Sequence, residues 1–257
     1  MSRERIPILK GEEIRAMRRA CQWSAVILKE VAEAVAPGMT TGELDRFAAE
    51  RMALRGVRST FLGYGGFPGY TCISINEEVV HGIPGDKVIN EGDVVSLDLG
   101  VTAGGFTGDN AVTVPVGRVD AAVLKLLEVT EASLRAGIAA AVPGGHVGDI
   151  GAAVQSVAEG AGYGVVRDYC GHGVGRHLHE EPQIPNFGKR GKGPELLPGM
   201  CLAIEPMVNL GTWRVDLMRN EWTVKTKDRK PSAHFEHTVL VTEDGPEVLT
   251  VPVEPER

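Results

Sequence analysis

The sequence predicts an α+β domain with two related halves, and three observations lead to this prediction. In both halves, apolar residues with helical spacing are followed by short runs of β-branched residues. A Pro-Gly step that precedes a helix start occurs at residues 37–38 and again at 143–144. Two strand-like segments flank a glycine-containing turn near residue 104, which is typical of a β-hairpin. We therefore predict a single domain, residues 1–257, with pseudo-repeat halves at about 11–118 and 119–250.

Start and stop signals define four predicted helices. Thr40 and Glu43 form a capping-box pattern, and Asp120 is of a residue type that commonly caps a helix. The predicted helices cover residues 11–36, 40–55, 120–142 and 148–161, and the predicted strands cover residues 71–75, 94–101, 106–114, 201–204, 222–225 and 235–242. A shift of 106 residues aligns the second helix with the fourth, including Pro37 with Pro143. Because the chain holds 33 glycines, chance identity is the alternative to a repeat.

The predicted hairpin carries two aspartates, Asp98 and Asp109. A two-residue loop at Ala103-Gly104 would place them directly opposite each other, with Cβ atoms about 4.5–5.5 Å apart. Two bare carboxylates at that separation repel, so either one is protonated or a cation lies between them. The alternative is a solvated acidic pair on an exposed face.

Composition excludes several classes of function. The net charge of −7 disfavours a nucleic-acid-binding surface. The four cysteines contain no C-x-x-C pair, which favours reduced thiols over a disulfide framework or a thiolate zinc site. No apolar run approaches the length of about 18 residues that spans a membrane, and the charged amino terminus predicts no signal peptide. We therefore expect a cytoplasmic protein.

Further metal-ligating side chains occur in the second half. His172 lies among glycines, while Glu205 and Glu236 stand beside apolar residues, where an unpaired carboxylate is rarely buried. Together with the hairpin aspartates they form a hard set of four carboxylates and one imidazole, which suits Mn, Fe(II), Co or catalytic Zn. Two divalent cations would balance their charge of about −4, and paired metals commonly activate water for hydrolysis. Surface charges at strand ends are the alternative.

Eight segments of the sequence resemble the type I methionine aminopeptidases of bacteria, over roughly residues 8–250. The segments are CISINE (72–77), VHGIP (80–84), GFTGD (105–109), YCGHGVGR (169–176), HEEP (179–182), IEPM (204–207), WTVKTKD (222–228) and FEHT (235–238). The resemblance implies the pita-bread (creatinase/aminopeptidase) fold, with two pseudo-symmetric α/β halves around a dinuclear metal cleft. It also implies a monomer.

The resemblance also implies roles for individual residues. The implied ligands of two divalent ions (Co, Mn, Fe(II) or Zn) are Asp98, Asp109, His172, Glu205 and Glu236, of which Asp109 and Glu236 bridge both ions. Glu205 is the implied proton acceptor, His179 polarises the scissile carbonyl, and His81 contacts the substrate. The implied methionine pocket comprises Tyr64, Phe67, Cys72, Leu178 and Trp222.

The implied reaction is removal of the initiator methionine from nascent proteins whose second residue is small and uncharged, by attack of a metal-bridging water. A nascent substrate is compatible with transient contact with the ribosome. The chain departs from the family pattern near the pocket at Gly65, Val80 and His177, and none of these is an implied ligand.

Two rival functions remain open at the sequence level. An Xaa-Pro aminopeptidase or prolidase shares the fold and the five ligands, but generally carries an added N-terminal domain. A non-catalytic pita-bread binding protein typically loses metal ligands, whereas all five are present here. Peptide specificity would distinguish the first rival from a methionine aminopeptidase, and metal-dependent turnover would exclude the second.

Overall fold

The structure, a computed structural model, describes residues 6–253. The helices in this range are α1 (Glu12–Ala34), α2 (Thr41–Leu54), α3 (Ala121–Ala140) and α4 (Val147–Gly160), so all four predicted helices are confirmed. Residues 1–5 and 254–257 lie outside the described residues. The outer ends of the predicted domain fall there, and so does part of the charged amino terminus from which we predict no signal peptide. Within 6–253, no helix has the length and apolarity that crossing a bilayer requires.

Fifteen strands are described. They are β1 (Arg58–Ser59), β2 (Cys72–Ile75), β3 (Glu78–Val80), β4 (Val94–Ala103), β5 (Phe106–Pro115), β6 (Gly164–Val165), β7 (Gly171–Gly173), β8 (Glu180–Ile184), β9 (Cys201–Ile204), β10 (Met207–Asn209), β11 (Val215–Leu217), β12 (Val224–Thr226), β13 (Ser232–His234), β14 (Glu236–Thr242) and β15 (Gly245–Val248). Nine form a central sheet in the order β1-β4-β5-β14-β9-β7-β8, with β2 on β4 and β15 on β14. The strands β13-β10-β6 and β11-β12-β3 form two smaller sheets.

The helices cover one face of the central sheet. Helix α1 packs on β4 and β5, where Ser24 Oγ donates a hydrogen bond of 2.6 Å to Oδ1 of Asn110. Helix α3 contacts β14, and Leu134 of α3 lies in one apolar cluster with Val239 of β14. Because side chains alternate along a strand, the neighbour of Asn110, Asp109, points to the opposite face. Helices gathered on one face of an antiparallel sheet confirm the predicted α+β class.

The hairpin of β4 and β5 forms, but its predicted register is wrong. The loop residues are Gly104 and Gly105, with φ angles of 58° and 78°. A tight two-residue turn needs positive φ at both positions, which two glycines adopt more readily than the predicted Ala103-Gly104 pair. Asp98 is therefore opposite Ala111 rather than Asp109. The register differs by two residues, so both aspartates still share a face as diagonal neighbours.

The two Pro-Gly loops make equivalent hydrogen bonds. The N–H of Gly38 donates to Ile89 O, and the N–H of Gly144 donates to Leu196 O, each at 2.8 Å. Each loop leads into a helix whose third residue accepts a hydrogen bond from the N-cap backbone N–H, and the predicted capping box of α2, between Thr40 and Glu43, is confirmed. Such equivalence is what a repeat would produce, while the division of the chain near residue 118 stays a prediction.

Candidate active site

A cavity of about 750 Å³, including its mouth, brings together every site residue predicted from the sequence. These residues are Tyr64, Phe67, Cys72, His81, Asp98, Asp109, His172, Leu178, His179, Glu205, Trp222 and Glu236. The lining also includes Phe61, Tyr169, Cys170 and Met207, which the sequence analysis did not select. Tyr169, Cys170 and Met207 lie within the recognised segments, whereas no sequence signal singles out Phe61.

Five side chains in or next to strands form a polar surface inside the cavity, here called the acidic floor: Asp98, Asp109, His172, Glu205 and Glu236. Asp98 and Asp109 come from the hairpin, and Glu236 begins β14 opposite Ala111 of β5. His172 lies in the middle of β7, opposite Ala203 of β9, and Glu205 directly follows β9. The order of the central sheet therefore assembles side chains that are far apart in sequence.

Part of the acidic floor is close enough to hold one ion. One ligand atom each from Asp109, His172 and Glu236 lies within 4.8 Å of the others. The His172 Nε2 atom is 3.8 Å from Asp109 Oδ2 and 3.5 Å from Glu205 Oε1. Asp98 lines the same cavity, and its charge raises the pKa values of Glu205 and Glu236.

The environment of His172 leaves one ring nitrogen, Nε2, able to bind a metal. Its Nδ1 is 3.0 Å from Gly173 O, so Nδ1–H donates there and Nε2 keeps a lone pair facing the carboxylates. Burial, followed by the nearby His179, lowers its pKa to about 3, which keeps the ring neutral. A Cβ on either flanking glycine would lie 2.2 Å from a carbonyl oxygen of the neighbouring strand. These glycines therefore allow strands, rather than a ligand, to approach closely.

The four carboxylates are not satisfied by protein groups alone. Burial is the largest cause raising every one of their pKa values; that of Asp109 is about 7, and that of Asp98 is raised further by Asp109. One oxygen of each of Asp98, Asp109 and Glu236 is buried without a hydrogen-bond partner. Buried carboxylates normally are paired or bind metals. This donor set of oxygens and one imidazole nitrogen therefore fits divalent metal binding.

Two further histidines border the acidic floor. His179, exposed at the mouth, has Nδ1 at 2.6 Å from the Tyr64 hydroxyl, and desolvation lowers its pKa. Its ring meets that of His172 edge-on, with centroids 4.3 Å apart. The pKa of His81 is lowered to about 4, by desolvation and then by His179. His81 also has a φ of 58°, which is uncommon for a residue with a Cβ and occurs often at functional sites.

The other side of the cavity is an apolar wall, made of Phe61, Phe67, Cys72, Leu178 and Trp222. Phe67 is 2% exposed and meets the Trp222 ring edge-on with centroids 5.1 Å apart. Cys72 of β2 is directly opposite Asp98 of β4, so the apolar wall joins the acidic floor at this pair. Tyr64, by contrast, is 43% exposed and lies at the rim. A pocket with an apolar side and a few convergent polar groups is typical of a substrate site.

The three departures from the family pattern lie in different places. Val80 lines the cavity, whereas His177 is exposed outside it. Gly65 has a φ of 55°, and a Cβ there would lie 3.3 Å from the edge of the Trp222 ring. A larger residue at position 65 would therefore press on the apolar wall.

The sequence analysis missed one buried histidine beside the acidic floor. His234 is 1% exposed, and its Nε2 is 3.5 Å from Oε2 of Glu205. It stands two residues before Glu236, and alternation along an extended chain could have indicated a shared side.

Known proteins share this architecture. A model of metallopeptidase family M24 matches residues 15–243. Methionine aminopeptidase 1 of Bacillus subtilis (strain 168) is 48% identical over 238 residues, which are 93% of this chain and 96% of that protein. The crystal structure of methionine aminopeptidase from Thermotoga maritima has a TM-score of 0.94 at 46% identity, covering 96% of this chain and 99% of the other.

A prolidase is a more distant structural neighbour. The prolidase from Pyrococcus furiosus has a TM-score of 0.75 at 25% identity; the match covers 97% of this chain but 66% of the prolidase. The pita-bread fold expected from the resemblance is thus confirmed by both kinds of neighbour. On these matches, the chain belongs to metallopeptidase family M24 and, within it, to the bacterial methionine aminopeptidases.

Proposed function

We propose that this chain removes the initiator methionine from nascent proteins whose second residue is small and uncharged. The observation that carries the proposal is one cavity in which an acidic floor joins an apolar wall at Asp98 and Cys72. The floor offers hydrolytic chemistry, and the wall offers a site for an unbranched apolar side chain. The methionine aminopeptidases with which the chain shares up to half of its residues support the same conclusion.

The acidic floor holds two divalent cations in this proposal, drawn from Co, Mn, Fe(II) or Zn. Asp98, Asp109, His172, Glu205 and Glu236 would hold these cations. The unpaired oxygens of Asp98, Asp109 and Glu236 support this assignment. Bound divalent cations supply water of lowered pKa and positive charge beside the scissile bond.

The remaining polar residues orient the substrate and move its protons. In this proposal Tyr64 O–H donates to Nδ1 of His179, which lies 2.6 Å away, so that Nε2–H is the donor of that ring. His179 uses this donor to polarise the scissile carbonyl. His81, neutral because of its lowered pKa, contacts the substrate near the same bond. Glu205 lies in the same cavity, and its carboxylate would accept a proton and return it.

The apolar wall selects methionine. Phe67, Cys72 and Leu178 are each at most 5% exposed, so a methionine side chain placed among them leaves water. Loss of that contact costs about 1–3 kcal/mol for each group missing from a smaller side chain. The free amino group of the substrate binds near the acidic floor, which restricts cleavage to the first peptide bond.

Three wider expectations belong to the same proposal. The chain acts as a single domain and a monomer, with halves meeting near residue 118. It works in the cytoplasm, where nascent chains are made. Transient contact with the ribosome would bring it to its substrates.

A peptide panel tests the proposed specificity. The metal-loaded chain is incubated with Met-Ala-Ser, Met-Lys-Ser, Leu-Ala-Ser and Ala-Pro-Ser, and released amino acids are measured. We expect methionine from Met-Ala-Ser, and at least about 100-fold slower release from the others. Cleavage of Ala-Pro-Ser alone would identify a prolidase-type enzyme. Cleavage of none of the peptides would favour a non-catalytic binding protein.

A further inference from the structure

His234 is a buried histidine that the protein alone does not satisfy. Neither of its ring nitrogens has a hydrogen-bond partner. The two histidines described in strands of the central sheet do have one: Nδ1 of His172 pairs with Gly173 O, and Nδ1 of His237 pairs with Thr250 Oγ1 at 2.8 Å. A buried polar group without a hydrogen-bond partner destabilises the folded protein. Such a group in a functional site requires an explanation.

The backbone of His234 is held without any help from its ring. Its N–H donates to Oγ1 of Thr113 at 2.8 Å, and its carbonyl accepts a hydrogen bond of 2.8 Å from the same hydroxyl. Thr113 belongs to β5, the strand that carries Asp109. The position of the imidazole is therefore fixed by the sheet that builds the acidic floor, and the ring itself is not needed for that fixation.

Among residues 6–253, the carboxylate found within 4.0 Å of the His234 ring is that of Glu205. Its Nε2 lies 3.5 Å from Oε2 of Glu205, while Nε2 of His172 lies 3.5 Å from Oε1 of the same residue. The backbone carbonyl of Glu205 accepts a hydrogen bond of 3.0 Å from Nδ2 of Asn186. With its backbone held, Glu205 presents one oxygen to each histidine. A shift of a few tenths of an ångström would bring Nε2 of His234 within hydrogen-bond distance.

We propose that His234 is a positioning residue for Glu205, donating Nε2–H to Oε2 so that Oε1 stays directed toward His172 and the metal they share. This inference rests on the proposed function, because it assumes that Glu205 is a metal ligand. A carboxylate that gives one oxygen to a metal keeps the other as an acceptor, and a neutral imidazole supplies the missing donor. The otherwise unpaired ring then gains its partner.

Metal affinity is the property that this contact should control. Outer partners of metal ligands typically contribute about 10–100-fold to affinity or activity. A leucine at position 234 fills a similar volume without a donor. A glutamine places its amide nitrogen about as far from the backbone as Nε2, whereas an asparagine reaches only about as far as Nδ1. The three variants therefore distinguish two roles of the ring: hydrogen-bond donation by Nε2 and simple filling of space.

The test is calorimetric titration of Mn²⁺ into the metal-stripped full chain, with thermal unfolding measured in parallel. We expect His234→Leu and His234→Asn to weaken one Mn²⁺ site by about 10–100-fold, and His234→Gln to stay within about threefold of the wild type. The matched control is His237→Leu, which removes the bond to Thr250 on the other side of Glu236. It should lower the melting temperature and leave Mn²⁺ affinity unchanged.

The outcomes separate this inference from the function on which it rests. A wild-type chain that binds Mn²⁺ no more tightly than His234→Leu overturns the inference alone. Equal Mn²⁺ affinities of His234→Gln and His234→Asn also overturn the inference, because donation from the position of Nε2 would then have no advantage over donation from the position of Nδ1. A wild-type chain that binds no divalent metal overturns the proposed function, and the inference with it.

Discussion

The acidic floor and the apolar wall share one cavity but differ in how well the protein alone satisfies them. Three carboxylate oxygens of the floor and both nitrogens of the adjacent His234 are buried without partners. The wall is packed, and Phe67, Cys72 and Leu178 are each at most 5% exposed. The wall is therefore complete without a ligand, whereas the floor is stable only when something neutralises it. Buried polar atoms without hydrogen-bond partners are therefore concentrated in the part of the cavity where the reaction would take place.

The largest effect should follow from removing one charge of the acidic floor. Glu236 is 2% exposed and has an unpaired oxygen, so Glu236→Gln keeps its shape and loses its charge. Because metal charge contributes several kcal/mol to transition-state stabilisation, we expect kcat/KM for Met-Ala-Ser to fall by about 1,000-fold or more. The control is Glu243→Gln, at an exposed position outside the cavity. Activity of Glu236→Gln within tenfold of the control would contradict the role of the floor.

Asp109 should make the metal-free protein sensitive to pH. Its folded pKa of about 7 lies above its ordinary value of 3.8, mainly because of burial. Its contribution to stability is therefore fully present below about pH 4 and is lost as the pH rises through 7. Asp109→Asn lacks this titration, so its melting temperature relative to wild type should be higher at pH 8 than at pH 5, by about 5 °C or more.

The difference between the two proteins is the quantity to measure, since buried histidines with lowered pKa values shift stability in the opposite sense. Excess Mn²⁺ should reverse the ranking by stabilising the wild type. A pH-independent difference would mean that Asp109 is ionised in the folded, metal-free protein without penalty.

Shortening the apolar wall should affect methionine recognition and spare metal binding. Leu178→Ala removes apolar contact from the pocket, and we expect kcat/KM for Met-Ala-Ser to fall about 10–100-fold. Mn²⁺ affinity should stay unchanged, because the Leu178 side chain belongs to the wall, and Leu178→Ala keeps the backbone that interacts with the His172 ring. Leu217→Ala, at a position 58% exposed, is the matched control. A parallel loss of Mn²⁺ affinity would show that floor and wall are not separable.

The smallest effect concerns the contact between Tyr64 at the rim and His179 beside the acidic floor. Tyr64→Phe removes the hydroxyl that lies 2.6 Å from Nδ1 of His179. One hydrogen bond is worth about 1 kcal/mol, so we expect kcat to fall about five- to tenfold with little change in KM. Tyr70→Phe, on the same loop but not lining the cavity, should behave as wild type. A raised KM with unchanged kcat would instead assign Tyr64 to substrate binding.

The two regions also differ in how far the sequence predicts them. The hairpin aspartates follow from local patterns, and only their register needed correction, because two glycines take the turn more easily than Ala103-Gly104. His172 was selected as a side chain but not as part of a strand, since the glycines around it have low strand propensity. The side chains around His172 come together only through the pairing of β7 with β9, which lie about 30 residues apart in the chain. No local pattern predicts that pairing.

Long-range pairing explains the remaining misses. The strands that were not predicted, such as β6, β7 and β13, have two to five residues, too few for a recognisable alternation. Phe61 enters the apolar wall through a loop whose course no local pattern specifies. His234 was overlooked because Glu205, whose carboxylate lies 3.5 Å away, is distant in sequence and comes near it through the pairing of β10 with β13.

In the proposed function, the reaction requires two divalent cations that are held by the acidic floor. The most direct measurement is methionine release from Met-Ala-Ser by the metal-stripped chain as Mn²⁺ is added in known equivalents. We predict negligible release without metal, a rise that requires up to two equivalents per chain, and loss of the activity on chelation. Full release by the metal-stripped chain in the presence of chelator would contradict the claim.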